Sequence, residues 1–140
     1  MILQHLLTAI DDPELPVVWV DDSHPAEFWS RLLTALEATG YRTLSLEAAE
    51  GVDSYAQLLA CFCSAAGWPA GFCPNLNALK DALLTLEDPP SGGWVVLFRK
   101  AGPLRQNDEE TFEDLLDVFS VVHDIKLNIK ALNFKLVVSD

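Results

Sequence analysis

Four short apolar runs recur along the chain, with room for a helix between each pair. The second run alternates apolar and polar positions, and the others are rich in β-branched or aromatic residues, as is typical of strands. The predicted strands are residues 15–20 (LPVVWV), 41–46 (YRTLSL), 94–98 (WVVLF) and 133–139 (NFKLVVS). The acidic pair Asp21 and Asp22 ends the first run.

The segments between these runs have the spacing of amphipathic helices. Predicted helices cover residues 1–10, the stretch from Pro25 to Thr39, and residues 54–66, 75–86 and 108–123. Glycine and proline make residues 67–74 a loop and residues 89–93 a turn. Because parallel strands need a crossover connection, strands separated by helices predict a single α/β domain. Its sheet is expected to be mostly parallel, three- to four-stranded and covered by helices.

The charge of the chain limits the kinds of partner. Twenty-one acidic and nine basic residues give a formal charge of −12, which repels nucleic acids and anionic membranes at long range. No segment approaches the about 18 apolar residues of a membrane span, and the first ten residues lack the features of a secretory signal. These observations predict a cytoplasmic protein that binds neither nucleic acid nor membrane. The acidity indicates either plain solubility or complementarity to a basic partner.

Catalytic and metal-binding patterns are missing from the sequence. Cys61 and Cys63 would point roughly 200° apart on a helix, and with Cys73 they form an odd set without ligand spacing. We therefore expect three small hydrophobic side chains in a reducing compartment, and no metal or cofactor. The three histidines lie in unrelated settings, and there is no nucleophile elbow or phosphate-binding loop. We predict that the chain is not an enzyme.

One stretch carries a family resemblance. Residues 68–86, WPAGFCPNLNALKDALLTL, combine an aromatic, proline-containing loop with a helix that opens on Asn-Leu-x-Ala-Leu. This stretch resembles the signature of the barstar family, and the order of elements over residues 41–140 is similar as well. The matching positions are Asn75, Leu76, Ala78, Leu79, Asp81 and Leu83. Residues 1–40 would then be a helix plus a βα extension of the sheet, within one compact unit.

The resemblance implies a function. Members of the barstar family are intracellular inhibitors, or immunity proteins, that insert this helix and loop into the active site of a secreted ribonuclease, where acidic side chains replace RNA phosphates. This chain departs from the pattern. Asn77 stands where the first inhibitory Asp is expected, Lys80 replaces a common aromatic residue, and Cys73-Pro74 replaces a Gly-x pair. Val121 occupies the position expected to carry a partner-facing Glu on the later helix.

The helix over residues 75–86 also predicts a binding face by its own periodicity. Leucines at positions 76, 79, 83 and 86 share one side, so the stripe that contains Asn77 and Asp81 turns away from the core. Trp68 and Phe72 in the loop before it are the kind of rigid aromatic side chains that anchor interfaces. The predicted partner-binding residues are Trp68, Phe72, Asn75, Asn77, Lys80, Asp81 and Leu84. The expected partner is a basic protein, a secreted ribonuclease toxin.

Two alternatives stay open. Residues 17–51 resemble the start of a response-regulator receiver domain, in which two acids after the first strand hold Mg²⁺. However, the later phosphoacceptor Asp and Lys are not found at the expected places, and Asp21 and Asp22 can equally cap the following helix. The second alternative is a barstar-fold interaction module whose partner is not a nuclease. The oligomeric state is left open.

Overall fold

The fold is known from a computed structural model that describes residues 2–46 and 51–140. Within these residues there are six helices, α1 to α6 in chain order: Ile2–Asp11, Ala26–Ala38, Tyr55–Ala66, Leu76–Leu84, Gly102–Asn107 and Glu109–Lys130. The four strands, β1 to β4, are Val17–Val20, Tyr41–Leu46, Gly93–Phe98 and Asn133–Ser139. Met1 of the predicted first helix and residues 47–50 of the receiver-like stretch lie outside the described residues.

The four strands form one parallel sheet in the order β1-β4-β3-β2. Val17 of β1 is opposite Leu136 of β4, and Tyr41 of β2 is opposite Gly93 of β3. This confirms the predicted α/β class with a parallel four-stranded sheet, and it confirms that the first strand joins that sheet. A division at residue 40 remains a proposal, because the sheet passes through both parts of the chain.

Side chains alternate between the two faces of each strand and so build two apolar clusters. The front cluster joins Phe134, Leu136 and Val138 of β4 to buried residues of α3, α4 and α6, among them Leu58, Phe62, Leu79, Leu83, Leu115 and Phe119. The back cluster joins Val18, Val95, Leu97 and Val137 to α1 and α2 through Leu6, Ile10, Trp29, Leu32 and Leu36. The predicted extension therefore covers the back of the sheet.

The structure corrects two predicted elements. Helix α6 continues to Lys130, whereas the sequence predicted its end at His123. It continues because His123 and Lys126 are buried, and the Lys126 ammonium donates to Asp88 at 2.7 Å. The short helix α5 was not predicted, and Pro103 suits its first turn because proline lacks an N–H that this turn would leave unpaired.

Two ion pairs and a buried lysine join segments that are distant in the sequence. The carboxylate of Asp88, in the loop after α4, pairs with the Lys126 Nζ at 2.7 Å and with the Lys130 Nζ at 2.9 Å. Burial alone would raise the pKa of Asp88, but the hydrogen bonds and charges of these two lysines lower it. Lys135 of β4 is fully buried and donates to the carbonyl oxygens of Asp12 and Leu15, which fixes the entry into β1.

Candidate protein-binding site

Helix α4 begins at a capped end and buries one side. The Asn75 side chain accepts a hydrogen bond from the Ala78 N–H at 2.8 Å, which satisfies one of the free amides of the first turn. Leu79 and Leu83 are fully buried in the front cluster. Because these two positions face the sheet, Asn77 and Asp81 stand exposed on the outer side of the helix.

The loop before α4 holds two aromatic rings together. Gly67 ends α3 in the left-handed region at φ 72°, and the Trp68 N–H then donates to the Cys63 carbonyl at 2.9 Å. The rings of Trp68 and Phe72 have centroids 5.5 Å apart. Trp68 packs partly against the front cluster, whereas Phe72 is 51% exposed. The half-buried Trp68 ring therefore packs against the exposed Phe72 ring and holds it at the surface of the loop.

A groove of about 380 Å³ runs between α4 and α6. We call it the acidic groove and define it by the lining residues Asn77, Lys80, Asp114, Asp117 and Val121. Asn75 and Leu76 close the end of the groove nearest the loop, where the hydroxyl of Tyr55 accepts a hydrogen bond from the Leu76 N–H at 2.9 Å.

The carboxylates Asp114 and Asp117 line the candidate site, yet neither was among the predicted binding residues. Both lie on the helix that the sequence predicted over residues 108–123. With Val121 they stand at i, i+3 and i+7, so one side of α6 presents all three to α4. That spacing was visible in the sequence, but the direction of α4 was not.

The seven predicted binding residues do not lie in a single pocket. Asn75, Asn77 and Lys80 line the acidic groove, and Trp68 lines a neighbouring pocket of about 420 Å³ between α3 and the loop. Phe72 and Asp81 are exposed outside both. Leu84 is half-buried and packs against the front cluster. Their role in binding remains a prediction.

The cysteines beside the loop have the properties of apolar side chains. Cys63 and Cys73 are buried, as the sequence predicted, and Cys61 is half-buried. Burial, followed by the effect of the neighbouring Cys63, raises the pKa of Cys73 to about 11. At neutral pH the Cys73 thiol therefore stays protonated and packs as a small hydrophobic group.

The acidic pair after β1 is used structurally. The Asp21 carboxylate accepts from the Ser23 N–H at 2.9 Å, and this hydrogen bond lowers the pKa of Asp21. Asp22 accepts from the Ser139 hydroxyl at 2.7 Å and from Arg99 at 3.3 Å. Neither side chain caps α2, whose N-cap is Pro25.

In the part of the chain that the structure describes, no three His, Cys, Asp or Glu side chains are grouped so as to hold a metal.

Comparison with known families gives a match to the part of the chain that contains the loop, α4 and α6. The family model described as Barstar (barnase inhibitor) matches residues 41–139, which include the loop, α4, α6 and the acidic groove. The chain belongs to the barstar (barnase inhibitor) family. A search of curated proteins finds no match. Over residues 2–46 and 51–140, none of the helices has the length and apolar character needed to cross a bilayer.

Proposed function

We propose that this chain is an inhibitor or immunity protein that blocks a basic partner, a ribonuclease toxin, through the acidic groove and the Phe72 loop. The family description and the position of the matched residues both support this proposal. The family is described by its inhibition of barnase, and the matched residues include the groove and the loop. On this proposal the chain acts by occupying its partner in the cytoplasm and has no catalytic activity of its own.

The observation that carries the proposal is the pair of carboxylates on α6. Asp114 and Asp117 line a groove whose other wall holds Asn77, the position at which an inhibitory acid was expected. A ribonuclease active site carries cations that bind phosphates, and carboxylates on a rigid helix can satisfy them by charge-assisted hydrogen bonds. We infer that α6 supplies the negative charge that is missing at position 77 of α4.

The aromatic loop and the net charge have separate parts in this proposal. Phe72 offers a large, half-exposed ring on the loop that precedes α4, and this ring can fill an apolar recess of the partner. The formal charge of −12 accelerates encounter with a cationic protein, so the association rate should fall as salt rises. The loop and the groove would then determine the affinity, and the net charge of the whole surface would determine the association rate.

The test is inhibition of a purified barnase-type ribonuclease, measured as RNA cleavage and as a dissociation constant by calorimetry. The paired substitution Asp114→Asn and Asp117→Asn should weaken binding about 30-fold, since charges paired across an interface are costly to leave unmatched. A matched control removes the same charge elsewhere on α6 through Glu109→Gln and Glu113→Gln, which lie outside the groove. Equal loss in both variants would show general charge attraction and contradict a specific groove.

A second candidate is an interaction module of the same fold whose basic partner is not a nuclease. It is favoured by Lys80, a cation inside the groove, and by the amide of Asn77. The same variants distinguish the two. A chain that leaves barnase-type ribonucleases fully active, yet binds a basic non-nuclease from its own cell through Asp114 and Asp117, would establish the module and exclude inhibition.

A further inference from the structure

The outer edge of β1 has backbone groups free for pairing. Over residues 2–46 and 51–140, β1 stands at the end of the sheet and pairs with β4 alone. The Leu136 N–H donates to the Pro16 carbonyl at 3.0 Å, so by alternation along the strand the backbone groups of Val18 face β4. Those of Val17 and Trp19 therefore face away from the sheet. Among the described residues, no strand lies beyond them.

Apolar surface lies on both sides of this edge. On the front, Trp19 is 50% exposed, and its ring lies 5.7 Å from that of Phe112. On the back, a groove of about 310 Å³ separates α1 from β1, where Leu6, Ala9 and Val20 line it together with the polar residues His5, Asp21 and His24. A strand placed beside β1 would therefore find contacts for side chains on both of its faces.

The surroundings of the edge are acidic. No Lys or Arg precedes Arg31 in the sequence. Glu14 before β1 and Asp21 after it are both exposed, so each end of the strand is flanked by a carboxylate. Arg105, which lies 5.6 Å from the Trp19 ring, is paired with Asp140. The charge around this edge thus favours a cationic neighbour.

We propose that β1 is a second protein-docking edge, which takes an extended partner segment, apolar in its middle and cationic at its ends, as a fifth strand. Sheet edges left open are templates for such pairing. A second copy of this chain fits less well. Antiparallel pairing of two β1 strands would bring Glu14 of one copy near Asp21 of the other, and these like charges repel. This edge lies outside residues 41–139 and does not depend on the proposed function.

The test uses the whole chain and two synthetic peptides of alternating valine and threonine, one with lysines at both ends and one with glutamates. Binding is followed by amide hydrogen exchange at Val17 and Trp19 and by a dissociation constant. The lysine peptide should slow exchange at both amides, and the glutamate peptide should not. Trp19→Ala should weaken the lysine peptide about tenfold, while Phe72→Ala, in the other surface, should leave it unchanged.

A second variant keeps the proposal testable if Trp19→Ala folds poorly. Glu14→Gln combined with Asp21→Asn removes the flanking charge and keeps an oxygen that can accept from the Ser23 N–H, so it should weaken the lysine peptide several-fold. Equal binding of both peptides, or no slowing of exchange, would overturn the proposal. A dimer in sedimentation, with Val17 and Trp19 already protected, would also overturn it and assign the edge to a second copy.

Discussion

The acidic groove and the β1 edge expose different kinds of atom. The groove offers side chains on two helices, Asp114 and Asp117 on α6 and Lys80 on α4. The edge offers the backbone groups of Val17 and Trp19. A side-chain surface discriminates by charge and shape and is changed by point substitution. A backbone surface accepts many sequences but requires an extended conformation. One fold can therefore carry a selective contact and a permissive one.

The largest expected effect concerns the ion pair between Asp88, in the loop after α4, and Lys126 of α6. Asp88→Ala should lower the free energy of unfolding by about 3 kcal/mol, because it leaves the buried Lys126 ammonium without its carboxylate. Urea denaturation measures this change. The neighbouring Glu87→Ala is the control. Its pair with Arg42 spans 3.8 Å between exposed side chains, so the loss should stay below about 0.5 kcal/mol.

The stabilisation by Asp88 should depend on pH in one direction. Its pKa is lowered in the folded state, so the contribution is complete above the ordinary value of 3.8 and is lost as pH falls through the lowered pKa. The stability difference between the wild type and Asp88→Ala should thus shrink in acid. A difference that stays constant from about pH 7 to about pH 2 would show that the pair contributes by packing alone.

A smaller effect separates the two surfaces directly. Phe72→Ala should raise the dissociation constant for the partner of the acidic groove about tenfold, because an exposed aromatic side chain next to a charged site is a typical anchor. Calorimetry with that partner checks the value. Trp19→Ala is the matched aromatic control and should leave this affinity unchanged. Loss of affinity in the control would mean that one continuous surface includes both regions.

The smallest effect tests the departure at Asn77. Asn77→Asp adds a carboxylate to the wall of the acidic groove, where the family resemblance places one. It should strengthen binding to a barnase-type ribonuclease about threefold and leave the natural partner's affinity unimproved. Inhibition curves for the two proteins measure the difference. Stronger binding to both would show that Asn77 is not adapted to the natural partner.

The sequence predicted the sheet well because strands have a clear local signal. Residues 133–139 were predicted as a strand and are β4 without change, since Phe134 and the pair Val137 and Val138 belong to the residue types that favour strands. The end of α6 was predicted too early. His123 and Lys126 look polar in the sequence, and only tertiary contacts with Lys135 and Asp88 explain their burial.

The candidate site was predicted in part for the same reason. The loop and α4 carry a local motif, so Phe72 and Asn77 could be selected from the sequence alone. Asp114 and Asp117 depend on how α6 packs against α4, which no local pattern encodes. Leu84, which the periodicity assigned to the outer stripe, lies half-buried against the front cluster, and its role in binding stays a prediction.

The pairing of β1 with β4 also constrains how the protein is made. Val17 and Leu136 are neighbours in the sheet, yet nearly the whole chain separates them in sequence. A ribosome releases β1 long before β4 exists, and pairing between such distant segments is slow. Until then the apolar strand is without its neighbour and the back cluster is incomplete. Chaperone binding and proteolysis during synthesis should therefore concentrate on the early part of the chain.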